Sequence, residues 1–125
     1  MYQKLYKNGE IRMQVMTFDR EGECLPMHVH PPERVHNTMC MRGKILVYTA
    51  NKSFHRILTP GEIADYPEGP HTIVGLEAGS MMCQMFLTPS KITEYGNEES
   101  VAQYMEGVQR PFPDANYDDY KEFLP

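Results

Sequence analysis

"ILVYTANKSFHRILTPGEIADYPEGPHTIVGL", residues Ile45 to Leu76, decides the fold. Short apolar and β-branched runs ("ILVYTA", "FHRIL", "EIADYP", "HTIVGL") alternate with the turn formers "NKS", "TPG" and "EGP". Val, Ile, Tyr and Phe suit a pleated, half-buried surface, while Gly, Pro, Asn and Ser favour the sharp reversals between strands. The same rhythm extends outward. "HNTMCM" and the turn "RGK" precede the stretch, and "EAGS" and "MMCQMFL" follow it. Further upstream, "EIRMQVMTF" (Glu10 to Phe18) alternates Ile11, Met13 and Val15 with Arg12, Gln14 and Met16, the period of a two-faced strand. "REGE" then turns the chain, and "CLPMHVH" reads as a strand. Pro31-Pro32 interrupts that strand because proline cannot donate to a ladder. Strands this short and this closely spaced predict an all-β sandwich or barrel.

The bulk numbers agree. A chain of 125 residues suits one domain with one modest core, and ten prolines and nine glycines supply the turns. We place the barrel over 10–88 and an extension over 89–125 of this single domain. In the extension, "NEESVAQYMEG" (Asn97 to Gly107) has acidic residues in its first turn and a glycine stop, as a short helix does. In the acidic, aromatic end, Asn116 can cap a last helical turn presenting Tyr117, Tyr120 and Phe123 on one side. That end is either a frayed terminus or an arm that packs on the barrel or on a second subunit.

A net charge of -5 with no Lys/Arg run excludes nucleic acid and anionic membranes as natural partners. No apolar stretch approaches a bilayer span, and "MYQKLYKNGE" lacks the apolar core of a secretion signal, which points to a cytoplasmic protein. Cys24, Cys40 and Cys83 are odd in number and lack C-x-x-C spacing, so they read as small buried hydrophobes. Cys40 is the exception to watch, because it lies beside the histidines discussed next. The ten methionines read as adaptable core filling, and His55 as a surface strand residue.

Three of the five histidines fall between His28 and His36. On a strand, His28 and His30 project from one face about 7 Å apart, so both can reach one ion. Taken alone, an H-x-H pair fits a solvated surface feature equally well.

The spacing around it resembles the cupin superfamily, small β-barrels with motifs G-x5-H-x-H-x3-4-E-x6-G and G-x5-P-x-G-x2-H-x3-N. Gly22, His28 and His30 match the first half of motif one, and His36, six residues before Gly43, stands where the family has glutamate. Gly61, Pro67, Gly69 and His71 match motif two with one residue fewer before the histidine, and Gly75 stands in the asparagine position. The resemblance implies a double-stranded β-helix, or jelly roll, with a short C-terminal helical or irregular extension. It implies a divalent transition metal, with Fe, Zn, Mn, Ni and Cu all suited to imidazole, held by His28, His30, His36 and His71. Glu33, which comes too early in the motif, is the alternate to His36. It also implies a homodimer.

Neutral imidazoles leave the metal's charge uncompensated, so the expected ligand is a small oxygen-rich or anionic molecule. The expected activity is that of a dioxygenase-type oxidant or a Lewis-acid lyase or isomerase; the alternative is a non-catalytic cupin that binds or senses a sugar or metabolite. If His36 points inward, strand alternation turns Thr38 and Cys40 inward too, and Ile73 follows His71. Tyr48, Tyr66 and Gln84 are the candidate proton partners, with Gln84 either lining the cavity or pairing in the core. Arg12 and Gln14 either meet a carboxylate at the barrel mouth or lie on the exposed sheet.

Overall fold

The computed structural model describes residues 1–8, 11–29, 37–67, 69–87, 110–112 and 115–125. Among the described residues, nine strands form two sheets: β1 (Tyr2–Asn8), β2 (Ile11–Thr17), β3 (Asn37–Arg42), β4 (Ile45–Thr49), β5 (His55–Leu58), β6 (Ile63–Asp65), β7 (His71–Gly75), β8 (Met81–Leu87) and β9 (Arg110–Pro111). The larger sheet has the order β6-β3-β8-β2-β1-β9, and the smaller one the order β5-β4-β7. Every pairing is antiparallel. The strands from β3 to β8 match the runs between the sequence's turn formers. The expected helix at 97–107 lies outside the described residues.

Two strand expectations need correction. The barrel begins at Tyr2 and not near residue 10, because β1 pairs with β2 from Tyr2↔Thr17 to Asn8↔Ile11. The signal in β1 is muted: its buried face includes Gln3 beside Leu5, so no apolar row stands out. Over its described residues, 24–29, the expected strand "CLPMHVH" is not regular. Its residues run antiparallel to β7 through separate bridges at Cys24↔Val74 and His28↔His71, broken by Pro26, which has no N–H to give.

The inward row of each sheet forms the core between them: Met16, Phe18, Leu25, Cys40, Ile45, Val47, Leu58, Ala64, Tyr66, Ile73 and Met82 are all buried there. Ile73 therefore follows His71 inward, as alternation predicts. In β2 the inward row is Gln14 and Met16, while Ile11 is exposed. The richer apolar row, Ile11, Met13 and Val15, thus takes the outer face. Gly75 explains the missing motif asparagine: a Cβ there would lie 2.5 Å from Cβ and Cγ of Phe18, which closes over this strand.

A second cluster lies on the other side of the smaller sheet. Cys24, Leu46, Tyr48, Val74 and Tyr120 pack together, with Tyr117 and Phe123 against them. Tyr120 and Phe123 come from a 3-10 turn over Asp118–Phe123, entered at Tyr117 and not at Asn116. Three residues per turn put positions 117, 120 and 123 in one row, and that row covers the sheet. The arm therefore packs on its own barrel. Pairing of Ala115 with Cys24 anchors its start.

Candidate functional site

His71 opens β7 and is fully buried; His28 lies opposite and is half-buried. The two exchange backbone hydrogen bonds, His28 N donating to His71 O at 3.0 Å and His71 N to His28 O at 2.9 Å. Directly opposed residues of an antiparallel pair project from the same face. Their imidazoles accordingly meet edge to face, with ring centroids 4.4 Å apart and planes 60° apart.

Each ring is held by the carbonyl two residues before it. His28 Nδ1 lies 2.7 Å from Pro26 O, and His71 Nδ1 lies 2.9 Å from Gly69 O. A carbonyl only accepts, so both Nδ1 atoms carry a proton, and in the neutral ring the lone pair is then on Nε2. This is the tautomer that binds a metal, with the second-nitrogen contact usual for a ligating histidine. Gly69 adopts φ +124, a backbone conformation that side chains rarely allow, and this aims its carbonyl at the ring.

The wall beside the pair is neutral and polar. The Tyr66 ring lies 4.6 Å from that of His71, centroid to centroid. Gln84 Nε2 donates to Tyr66 Oη at 3.3 Å and to Thr38 Oγ1 at 3.2 Å, so Gln84 both lines the site and pairs inside the core. Each hydroxyl accepts from the amide, which ties Thr38 and Tyr66 together beside the histidines. Gln14 sits opposite Gln84 in the β2–β8 register and donates to Gln3 Oε1 at 2.9 Å. Gln3 was missed together with β1.

The remaining expected residues divide. Thr38 and Cys40 are buried on the inner face as expected. The Cys40 thiol donates toward Arg42 O at 3.5 Å, and burial pushes its pKa up, so it remains protonated. Arg12 is half-buried on the row of Gln14, its guanidinium donating to Ile11 O at 3.1 Å. Tyr48 is a correction: it faces away from the histidines into the outer cluster, donating to Asp119 Oδ1 at 2.7 Å. Burial first, then that bond, raises its pKa far above the tyrosine range, which does not suit a proton carrier. All five residues of β4 are buried, so its pattern carried no sign of which side faces the site. His55 is exposed as expected and stacks on Phe123.

His30, His36 and Glu33 lie outside the described residues. Among the described residues, no third His, Cys, Asp or Glu joins the pair in a group able to hold a metal. Also among the described residues, no helix is long and apolar enough to cross a membrane.

No family model matches the sequence, and no curated protein matches it. Solved structures do match the fold. KdgF from Halomonas sp. aligns at TM-score 0.56 and 23% identity, over 68% of this chain and 77% of its own. An RmlC-like cupin from Desulfovibrio desulfuricans aligns at TM-score 0.56 and 17% identity, over 68% and 79%. Protein NMB1881 from Neisseria meningitidis aligns at 0.55 and 15%, over 69% and 82%. The two facing antiparallel sheets agree with these likenesses, and the chain has the fold of these cupin structures.

Proposed function

We propose that the chain is a metal-binding cupin that takes a small oxygen-rich molecule at the inner ends of β3, β7 and β8. The observation that carries this reading is the His28–His71 pair, whose ring centroids lie 4.4 Å apart and whose Nδ1 atoms both donate to backbone carbonyls, the arrangement usual for histidines that ligate through Nε2. His28 and His71 would be joined by His30 and by His36, or Glu33 in its place, to hold a divalent transition metal. Such an ion supplies Lewis-acid or oxygen-activating chemistry. The chain's own groups do the rest. Gln84 holds the Tyr66 and Thr38 hydroxyls in place, and Tyr66, beside His71, can exchange a proton with a ligand oxygen. Arg12, further out on the row of Gln14, suits a carboxylate at the mouth.

A second reading, a non-catalytic module that binds a sugar or metabolite, is favoured by the same wall. Thr38, Tyr66, Gln84 and Gln14 are neutral hydrogen-bonding groups, a set suited to recognition. Elemental analysis of protein purified without added metal, beside His28→Ala and His71→Ala, tests the metal. About one equivalent in the wild type and none in the variants supports it; an empty wild type that also refuses added cobalt overturns it. Oxygen uptake or product formation with diketone, thiol and catechol candidates separates enzyme from module.

The homodimer belongs to the same proposal. The tail's aromatic row faces its own barrel, which leaves the larger sheet for a second copy, where Ile11, Ile63 and Met85 are 43%, 53% and 51% exposed. Sizing of the full chain with and without Met85→Lys tests it: a dimer that dissociates supports the larger sheet, and a monomeric wild type refutes it.

A further inference from the structure

The segment carrying His28 is hydrogen-bonded on two sides. Leu25 N and His28 N donate to β7, at Ile73 O (2.9 Å) and His71 O (3.0 Å). The other side is filled by the tail: Cys24 N donates to Ala115 O at 3.3 Å, Ala115 N to Cys24 O at 2.9 Å, and Met27 N to Tyr117 Oη at 2.9 Å. Met27 N and Pro26 O belong to a single peptide group. That group's N–H is taken by Tyr117, and its carbonyl accepts the Nδ1–H of His28 at 2.7 Å.

We infer that Tyr117 is a positioning residue for His28, acting through the Pro26–Met27 peptide. An amide whose N–H is engaged becomes a stronger acceptor at its oxygen, because hydrogen bonds in series polarise one another. The phenol also fixes the tilt of the peptide plane, and with it the direction in which Pro26 O points. The relay thus sets both the tautomer and the orientation of the His28 ring through a Met27–Tyr117 bond that spans 90 positions. His71 has no counterpart to this device. Its acceptor is the carbonyl of Gly69, whose peptide partner is Pro70, and that peptide has no N–H for any side chain to grip. One histidine is held by its own turn, and the other by the tail.

The effect on metal affinity rests on the metal reading above; the effect on the ring does not. Full-length wild type, Tyr117→Phe and Phe123→Ala are compared at one pH without metal. The readouts are the imidazole 15N shifts and the exchange of the Met27 amide, followed by titration with cobalt(II) alone. Tyr117→Phe is expected to lower the Nδ1–H fraction of His28, to leave His71 unchanged and to speed Met27 exchange more than tenfold. It is also expected to weaken cobalt binding by roughly 3- to 10-fold, below the full range for a direct second-nitrogen partner. Phe123→Ala loosens the same tail without touching the Met27 bond, and should leave the His28 signature in place. The inference is overturned when Tyr117→Phe leaves the His28 shifts and Met27 exchange at wild-type values, or when Phe123→Ala moves them equally. A wild type that binds no cobalt refutes the metal reading, while shifts and exchange still decide the relay.

Discussion

The two strips of backbone that carry the site's described histidines are built differently. β7 is a regular five-residue strand with every residue buried, paired along its length with β4 and capped by Phe18 over Gly75. The segment 24–28 is a set of separate bridges interrupted by Pro26, half-exposed at Pro26, Met27 and His28, and dependent on the tail for its outer hydrogen bonds. A histidine on β7 is placed by the core, so it moves only when the core moves. A histidine on 24–28 is placed in part by contacts with the tail, so its position can be tuned from a distance at little cost to the fold.

Several measurements can break or sharpen that contrast. His71→Ala should lose more than the roughly 10- to 100-fold in metal affinity that an outer partner is worth, and should also destabilise the fold, since a fully buried ring leaves a cavity. His28→Ala should lose comparable affinity with a smaller change in melting temperature; equal destabilisation by both would erase the distinction. Gly75→Asn, which restores the motif residue, should cost about 3 kcal/mol or more through collision with Phe18, read by denaturant unfolding. Tyr120→Ala should cost about 2 to 4 kcal/mol by emptying the outer cluster, and should raise amide exchange at 24–28 more than in β7. Exchange raised equally in both would show that the tail does not favour one histidine.

The smallest expected effect is at high pH. The folded state holds the Tyr48 pKa above its ordinary value, through burial and then the Asp119 bond. The stability this contributes is complete below the unfolded value near 10 and is lost as pH rises beyond it. Tyr48→Phe should therefore cost about 1 kcal/mol at neutral pH, through loss of the Asp119 bond, and should flatten the alkaline fall. An unchanged alkaline slope would place Tyr48 outside the clamp that holds the tail.

Much of this was legible beforehand where local chemistry acts alone. The turns between β3 and β8 follow from Gly, Pro, Asn and Ser at each reversal, the inward positions of Thr38, Cys40 and Ile73 follow from alternation, and Gln84 stood out as the one polar residue of its run. Tyr117, Tyr120 and Phe123 showed their common side through a three-residue spacing. Alternation failed where both faces are covered, as at Tyr48, and where the interior is polar. In β2, Gln14 turns inward although Ile11, Met13 and Val15 form the more apolar row, because its amide finds a partner there in Gln3.

By itself, the sequence determined the strand rhythm, the two histidine motifs and the aromatic row of the tail, since these depend on neighbours a few residues away. Only the tertiary structure decided that His28 meets His71, that Tyr48 faces the tail and that Tyr117 grips the peptide behind His28. Those outcomes depend on which sheet face is covered and by what, and that is settled by contacts between residues 43 to 90 positions apart, to which no local periodicity responds.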